Sequence, residues 1–333
     1  MYEWIGSMTA NPKRLAQLSR WSGWIPRPCM LFLCGVLGVL LYAAAGRKLR
    51  SRILDNLREA LGVEREKGRL HRLRLGYFQN LVITLYEIVL ESKRLPGSAA
   101  WRFQIEGEDH LQEALQLGRG AIVYTPHEGN FFYYYWYLCQ KYPCLTIATG
   151  GSSELRPLYD LFERMGCPGL DYDNTPPLEL LRKLKKHLAG NGVVFILGDF
   201  WRPAFPVSRM FGKSTRSPDG AALLSIENQV PVIPFYGFRE QGFRHRLVFE
   251  QPLHLYASYE RKQRGEATLL LNRFMEQAIR KVPDQWFYWF NADERWGEEQ
   301  MFSGTAKLKH DQETQLVPGA ATDASEQQKT YTA

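Results

Sequence analysis

His127 closes the run A-I-V-Y-T-P-H-E-G-N-F-F at residues 121–132, where an apolar stretch stops at Pro126 and delivers one imidazole to its end. An imidazole, with an ordinary pKa near ~6.5, accepts a proton at neutral pH, which carboxylates do poorly and lysines rarely. His127 is therefore the candidate general base. A second group of residues suited to chemistry is basic: Arg156 and Arg164 bracket one helical stretch, and Arg202, Arg209, Lys213 and Arg216 gather in a loop region containing Gly, Pro and Ser. A guanidinium donates two parallel hydrogen bonds to a phosphate, so such residues suit an anionic headgroup. Gly212-Lys213-Ser214 looks like the tail of a P-loop, but Val207 stands where that motif needs its first glycine, which rejects nucleotide binding there. The chain has no G-x-S-x-G elbow and no H-E-x-x-H pair, which counts against a serine hydrolase and a helix-borne metal site.

These side chains need a scaffold. Residues 121–124, preceded by Gly118 and Gly120, read as a buried strand of a parallel sheet, and open α/β sheets carry their sites just past such carboxyl ends. Asn130 suits the N-cap of a following helix, because its side-chain oxygen accepts from an unpaired backbone N–H. That helix carries F-F-Y-Y-Y-W-Y at 131–137, aromatic all round, so it must be buried or face lipid or a bound acyl chain. From Trp101 onward, apolar runs at 103–105, 121–124, 145–148, 193–197, 230–235 and 247–249 alternate with helical stretches. The pattern predicts an α/β fold with a central, largely parallel sheet flanked by helices.

Ahead of this body lies a polar lead at 1–28, then 18 uncharged residues at 29–46. As a helix the run spans about 27 Å, slightly short of the ~30 Å hydrocarbon core. A signal peptide cleaved near Ala43-Ala44-Ala45 competes with a retained membrane anchor, and the long polar lead favours the anchor. In the segment 47–97, Leu49, Ile53, Leu57 and Leu61 recur every fourth residue up to Gly62, as in an amphipathic helix whose basic face suits anionic lipid or whose apolar face packs on its own domain. A second helix at 70–95 is expected to break at Pro96 and Gly97. The α/β body then runs over 98–302, and the polar residues 303–333 read as a disordered tail.

With 45% hydrophobic and 23% charged residues among 333, the chain can bury a large core. A net charge of +7 implies an acidic partner: an anionic membrane, a phosphorylated lipid, an acidic carrier protein or nucleic acid. The apolar segment and the lack of a nucleic-acid motif argue against the last. Five cysteines without a C-x-x-C pair argue against a disulfide framework and a zinc site, and fit a reducing cytoplasm.

Several blocks in order carry a resemblance to a known family. H-E-G-N at 127–130 resembles the H-x-G-N-W-E block of the bacterial lipid A late acyltransferases, within the lysophospholipid acyltransferase superfamily. The run L-F-E-R-M-G at 161–166, G-V-V-F-I-L-G-D-F-W at 192–201, R-M-F-G-K-S-T-R-S-P-D-G at 209–220 and P-D-Q-W-F-Y-W-F-N-A-D-E-R-W-G at 283–297 are similar to later blocks of that family. The resemblance covers roughly residues 25–297 and implies an O-acyltransferase held at the cytoplasmic face of the inner membrane. Such an enzyme moves a fatty acyl group from acyl carrier protein or coenzyme A, as co-substrate, to a lipid hydroxyl, with no resident cofactor or metal. Arg164, Arg209, Lys213 and Arg216 would hold the anionic head of the acceptor, with Asn130 also on the substrate side. Amides near Gly129 and Asn130 would face the oxyanion. The family pattern also places an acid five residues after the histidine, to orient the imidazole and stabilise its cation as in a Ser-His-Asp triad. Phe132 occupies that position, which leaves Glu128 and Asp199 as candidates for the role, or else a catalytically silent homologue that binds lipid or a membrane partner.

Overall fold

In the computed structural model, which describes residues 12–62, 67–148 and 156–297, the apolar runs pair into a seven-stranded sheet of order β1-β9-β8-β2-β5-β3-β4. The strands are β1 Phe103–Glu106, β2 Ala121–Thr125, β3 Cys144–Ala148, β4 Gly169–Asp171, β5 Val193–Leu197, β8 Val232–Gln241 and β9 Arg244–Phe249. All neighbours run parallel except the β8–β9 hairpin. β2 lies at the centre with every residue buried, as a strand covered on both faces must be. Its side chains alternate: Ile122 and Tyr124 join one core, Ala121 and Val123 the other. The α/β expectation holds. β4 and a separate β6–β7 hairpin, Val207–Met210 with Lys213–Arg216, escaped the sequence reading because both are short and largely polar.

Twelve α-helices are described, all within one compact unit ending at Trp296: α1 Pro12–Ser22, α2 Arg27–Ala44, α3 Arg47–Leu61, α4 Lys67–Tyr86, α5 Leu95–Arg102, α6 Glu108–Gln116, α7 Phe131–Cys139, α8 Arg156–Glu163, α9 Pro177–Ala189, α10 Gly220–Asn228, α11 Leu255–Ser258 and α12 Arg264–Lys281. α3, α9, α10 and α12 share the core of Ile122 and Tyr124; α6, α7 and α8 share that of Val123. α3 thus buries Ile53, Leu57 and Ala60 in its own domain and turns its basic face outward. The polar lead contains α1, whose Ser19 hydroxyl donates to the Leu90 carbonyl. Residues 303–333 lie outside the described residues.

The expected break at Pro96 does not occur. α4 passes through a π-helical turn at Glu87–Glu91 and a 3-10 turn into α5, where Pro96 falls in the first turn and its missing N–H is no loss. α5 therefore crosses the 97/98 boundary. The wide turn aims Glu87 into the interior, fully buried. There it accepts from His245 Nε2 at 2.8 Å, Arg239 Nη2 at 2.7 Å, Arg102 Nη1 at 3.3 Å and Asn130 Nδ2 at 3.1 Å. Burial would push its carboxyl up, but the charges of His245, Arg239 and Arg102 prevail and hold it far below the usual range.

α2 is 18 residues long and apolar enough to cross a membrane by length and composition. One side packs on α4: a Cβ on Gly38 would lie 2.6 Å from the Gln79 Cα, so only glycine permits this approach. The other side is bare, with Phe32 70% and Leu40 57% exposed.

Candidate active site

The sheet register builds the site. β2 and β5 are parallel neighbours with Thr125 opposite Leu197, so His127 and Asp199, each two residues on, leave the sheet side by side. Gly198 is required between them, because a Cβ there would collide with the Tyr124 ring. Asp199 grips the histidine twice. Its carboxylate accepts from the His127 amide at 2.9 and 3.1 Å and lies 2.6 Å from Nδ1. Trp286 Nε1 donates to the same carboxylate at 2.7 Å, and Arg295 Nη1 to the Asp199 carbonyl at 2.6 Å. Burial raises the Asp199 carboxyl, but the His127 charge and these hydrogen bonds outweigh it and hold it below the ordinary carboxylate range. A carboxylate can only accept, so Nδ1 carries the proton in this pairing and Nε2 presents its lone pair. The Asp199 side chain is 1% exposed and that of His127 12%, so the ring's open edge is the Nε2 side.

That edge borders a cavity of about 610 Å³, within the size range of ligand sites. Its walls are mostly apolar and include Phe131, Phe132, Tyr135, Leu158, Leu184 and Leu197. Asn130 caps α7 as expected, its side chain accepting from the Tyr133 amide. Within the aromatic run, Tyr133 and Tyr134 are buried in the core, while Phe131, Phe132 and Tyr135 reach the cavity. Phe131 stands edge-on to the imidazole at 4.9 Å, and Phe132 packs on Phe131 and Phe162, each at 4.9 Å. Position 132 thus serves the wall.

The histidine loop is laced to the aromatic closing segment. The Phe287 amide donates to the His127 carbonyl at 2.9 Å and the Gly129 amide to the Gln285 carbonyl at 3.0 Å. Gly129 has φ +59°, and a Cβ would strike Tyr134 Oη and the Gly237 carbonyl. From the same segment, Tyr288 brings its hydroxyl to 3.3 Å from His127 Nε2.

A model of the bacterial lipid A biosynthesis acyltransferases matches residues 17–296, which hold the dyad, the cavity and the closing segment. The chain belongs to that family. It is similar to a phosphatidylinositol mannoside acyltransferase of Mycolicibacterium smegmatis, 32% identical over 176 residues, 48% of this chain and 55% of the relative. Similarity to the protein of that name in Mycobacterium tuberculosis is 33% over 140 residues, 39% of this chain and 42% of the relative. The chain spans about half the length of the curated relatives it matches.

In this family member the acid beside the histidine is Asp199, not Glu128. Glu128 is buried and has both carboxylate oxygens without a hydrogen-bond partner, so it does not hold the ring. Burial, then the charges of Asp199 and Asp284, push its carboxyl well above the usual range. Asn130 is fully buried and spends its amide on Glu87, so it does not line the cavity. The expected oxyanion amides are engaged too: Gly129 N by Gln285, Asn130 N by Tyr134 Oη at 3.0 Å. None of the four basic candidates lines the cavity. Arg164 and Arg209 are exposed, Lys213 pairs with Glu59 at 2.7 Å, and Arg216 donates to the Phe205 carbonyl at 2.8 Å. Arg156, in contrast, reaches the cavity wall and pairs with Asp160 at 2.9 Å. Sequence reasoning missed the roles of Trp286, Tyr288 and Arg295. Their signal was the dense aromatic block ending in an arginine, whose folding back onto His127 no local pattern announces.

Proposed function

We propose that this chain is an O-acyltransferase that moves a fatty acyl group from a carrier thioester to a hydroxyl of a glycolipid or phospholipid. The reading rests on one observation: His127, held by Asp199, presents Nε2 to an apolar cavity. A neutral imidazole there takes the proton of the acceptor hydroxyl as its oxygen attacks the thioester carbonyl, and Asp199 stabilises the imidazolium that forms. The cavity wall of Phe131, Phe132 and Leu184 suits an acyl chain. The names of the mycobacterial relatives point to a phosphoinositide glycolipid as the first acceptor to test. The donor would be an acyl carrier protein or coenzyme A thioester, to which a chain of net charge +7 is electrostatically suited. Arg164 and Arg209, both at the surface, would meet an anionic headgroup outside the cavity. The bare side of α2 supports attachment to a membrane, which in this reading is the inner membrane approached from the cytoplasmic side.

Purified protein supplied with acyl thioester and a phosphatidylinositol mannoside should give an acylated lipid by mass spectrometry. His127→Ala should lower the rate roughly 10²–10⁴-fold; transfer at the wild-type rate would refute the mechanism.

A further inference from the structure

An oxyanion formed beside His127 needs fixed hydrogen-bond donors. Four amides of the histidine loop are spent: His127 N on Asp199, Glu128 N on the Pro126 carbonyl at 2.8 Å, Gly129 N on the Gln285 carbonyl and Asn130 N on Tyr134 Oη. A donor is available on the closing segment. Tyr288 faces the reacting edge of the imidazole, its ring 4.8 Å away and edge-on, and it lines the cavity. With the Nδ1 proton committed to Asp199, Nε2 can only accept, so the phenol O–H donates across the 3.3 Å separation. The Arg295 guanidinium lies 3.3 Å above the phenol ring and is itself fixed by the Asp199 carbonyl. A cation over the ring face makes a neutral phenol a better donor. Burial pushes the phenol well up and Arg295 only partly offsets it, so the group keeps its proton at neutral pH.

We propose, building on the acyl-transfer reading, that Tyr288 is a catalytic residue that donates the oxyanion hydrogen bond. In the free site its hydroxyl occupies Nε2. The acceptor hydroxyl displaces it, and the phenol turns its O–H onto the thioester carbonyl oxygen. The acceptor proton passes to Nε2 while the acceptor oxygen bonds to the carbonyl carbon, and the carbonyl electron pair moves to the oxygen held by Tyr288. Collapse re-forms the carbonyl and breaks the C–S bond, and the leaving thiolate takes the proton from Nε2. The phenol remains protonated throughout.

The test is Tyr288→Phe, which keeps the ring and its Arg295 contact. It uses the full chain in mixed micelles with a long-chain acyl-coenzyme A and a phosphatidylinositol mannoside. The expected result is a kcat lower by about 10²–10³-fold, with both KM values unchanged. An unchanged kcat, or a loss confined to KM, overturns the proposal, as does an acyl ester on Tyr288 in peptide mass spectrometry. His127→Ala separates the two readings: an inactive H127A beside a fully active Y288F sinks only the tyrosine, whereas an active H127A sinks the general base. A measurement without turnover covers the case of an unsuitable donor. A trifluoromethyl ketone analogue of the acyl donor, which hydrates to a tetrahedral centre, should bind wild type about 10²-fold more tightly than Y288F, while a thioether analogue binds both equally. Equal affinity for the ketone, or none for the wild type, overturns the proposal.

Discussion

Asp199 is the residue on which the geometry of His127 depends, since it holds both the backbone amide and Nδ1. Asp199→Asn removes the anion that sustains the imidazolium and no longer dictates which nitrogen is protonated. Turnover should fall by roughly 10³–10⁴-fold with little change in far-ultraviolet circular dichroism; retention of a tenth of the activity or more would disprove the dyad. Glu128→Gln should instead leave turnover near wild type and change stability. Glu128 stays protonated in the fold while the unfolded chain ionises above the ordinary glutamate pKa, ~4.3. Unfolding therefore releases a proton, and wild-type stability from this group drops as pH rises above that value. Thermal melts from pH 4 to pH 7 should show E128Q gaining on wild type as pH increases; a constant difference would count against a neutral Glu128. Both carboxylates were visible in the sequence as candidates, but the choice between them was not. Glu128 is adjacent in sequence yet makes no hydrogen bond to the ring, whereas Asp199 is 72 residues distant and level with His127 across one strand pair.

The π-helical turn at Glu87–Glu91 shows how an element reaches the site without lining it. Glu87 ties α4 to Arg239 and His245 on the β8–β9 hairpin and to Asn130, the cap of α7. Glu87→Gln would leave Arg102 and Arg239 without their shared anion, at a cost of about 3–5 kcal/mol. Urea denaturation at neutral pH should show a lower midpoint of that order, and an unchanged midpoint would mean the network carries no net stability. Elements were legible where apolar periodicity is strong: β2, β5 and the Asn130 cap follow the reading closely. They were illegible where tertiary partners decide. The β6–β7 hairpin, turning at Phe211 and Gly212 with φ 53° and 74°, carries Arg209 and Lys213 on strands, where the Gly, Pro and Ser around them predict a loop. Basic residue types announce a charge but not which way a hairpin turns it, and Arg209, Lys213 and Arg216 do not line the cavity.

At the scale of the whole molecule, the bare side of α2 is an exposed apolar strip. Leu37 and Leu40 point outward there, with Trp24 86% exposed beyond the helix start. Replacing Phe32, Leu37 and Leu40 together with glutamate should cost at least ~5 kcal/mol of lipid affinity and free the protein from anionic vesicles in flotation assays, with the melting temperature little changed. Co-flotation of the triple variant would assign attachment to another surface. Because Gly38 fits so closely against Gln79, this flank cannot simply fold away when lipid is withheld. Copies of the chain in plain buffer would then shelter these strips against one another, and a dimer or larger species in detergent-free chromatography would report avoidance of water, not a native assembly.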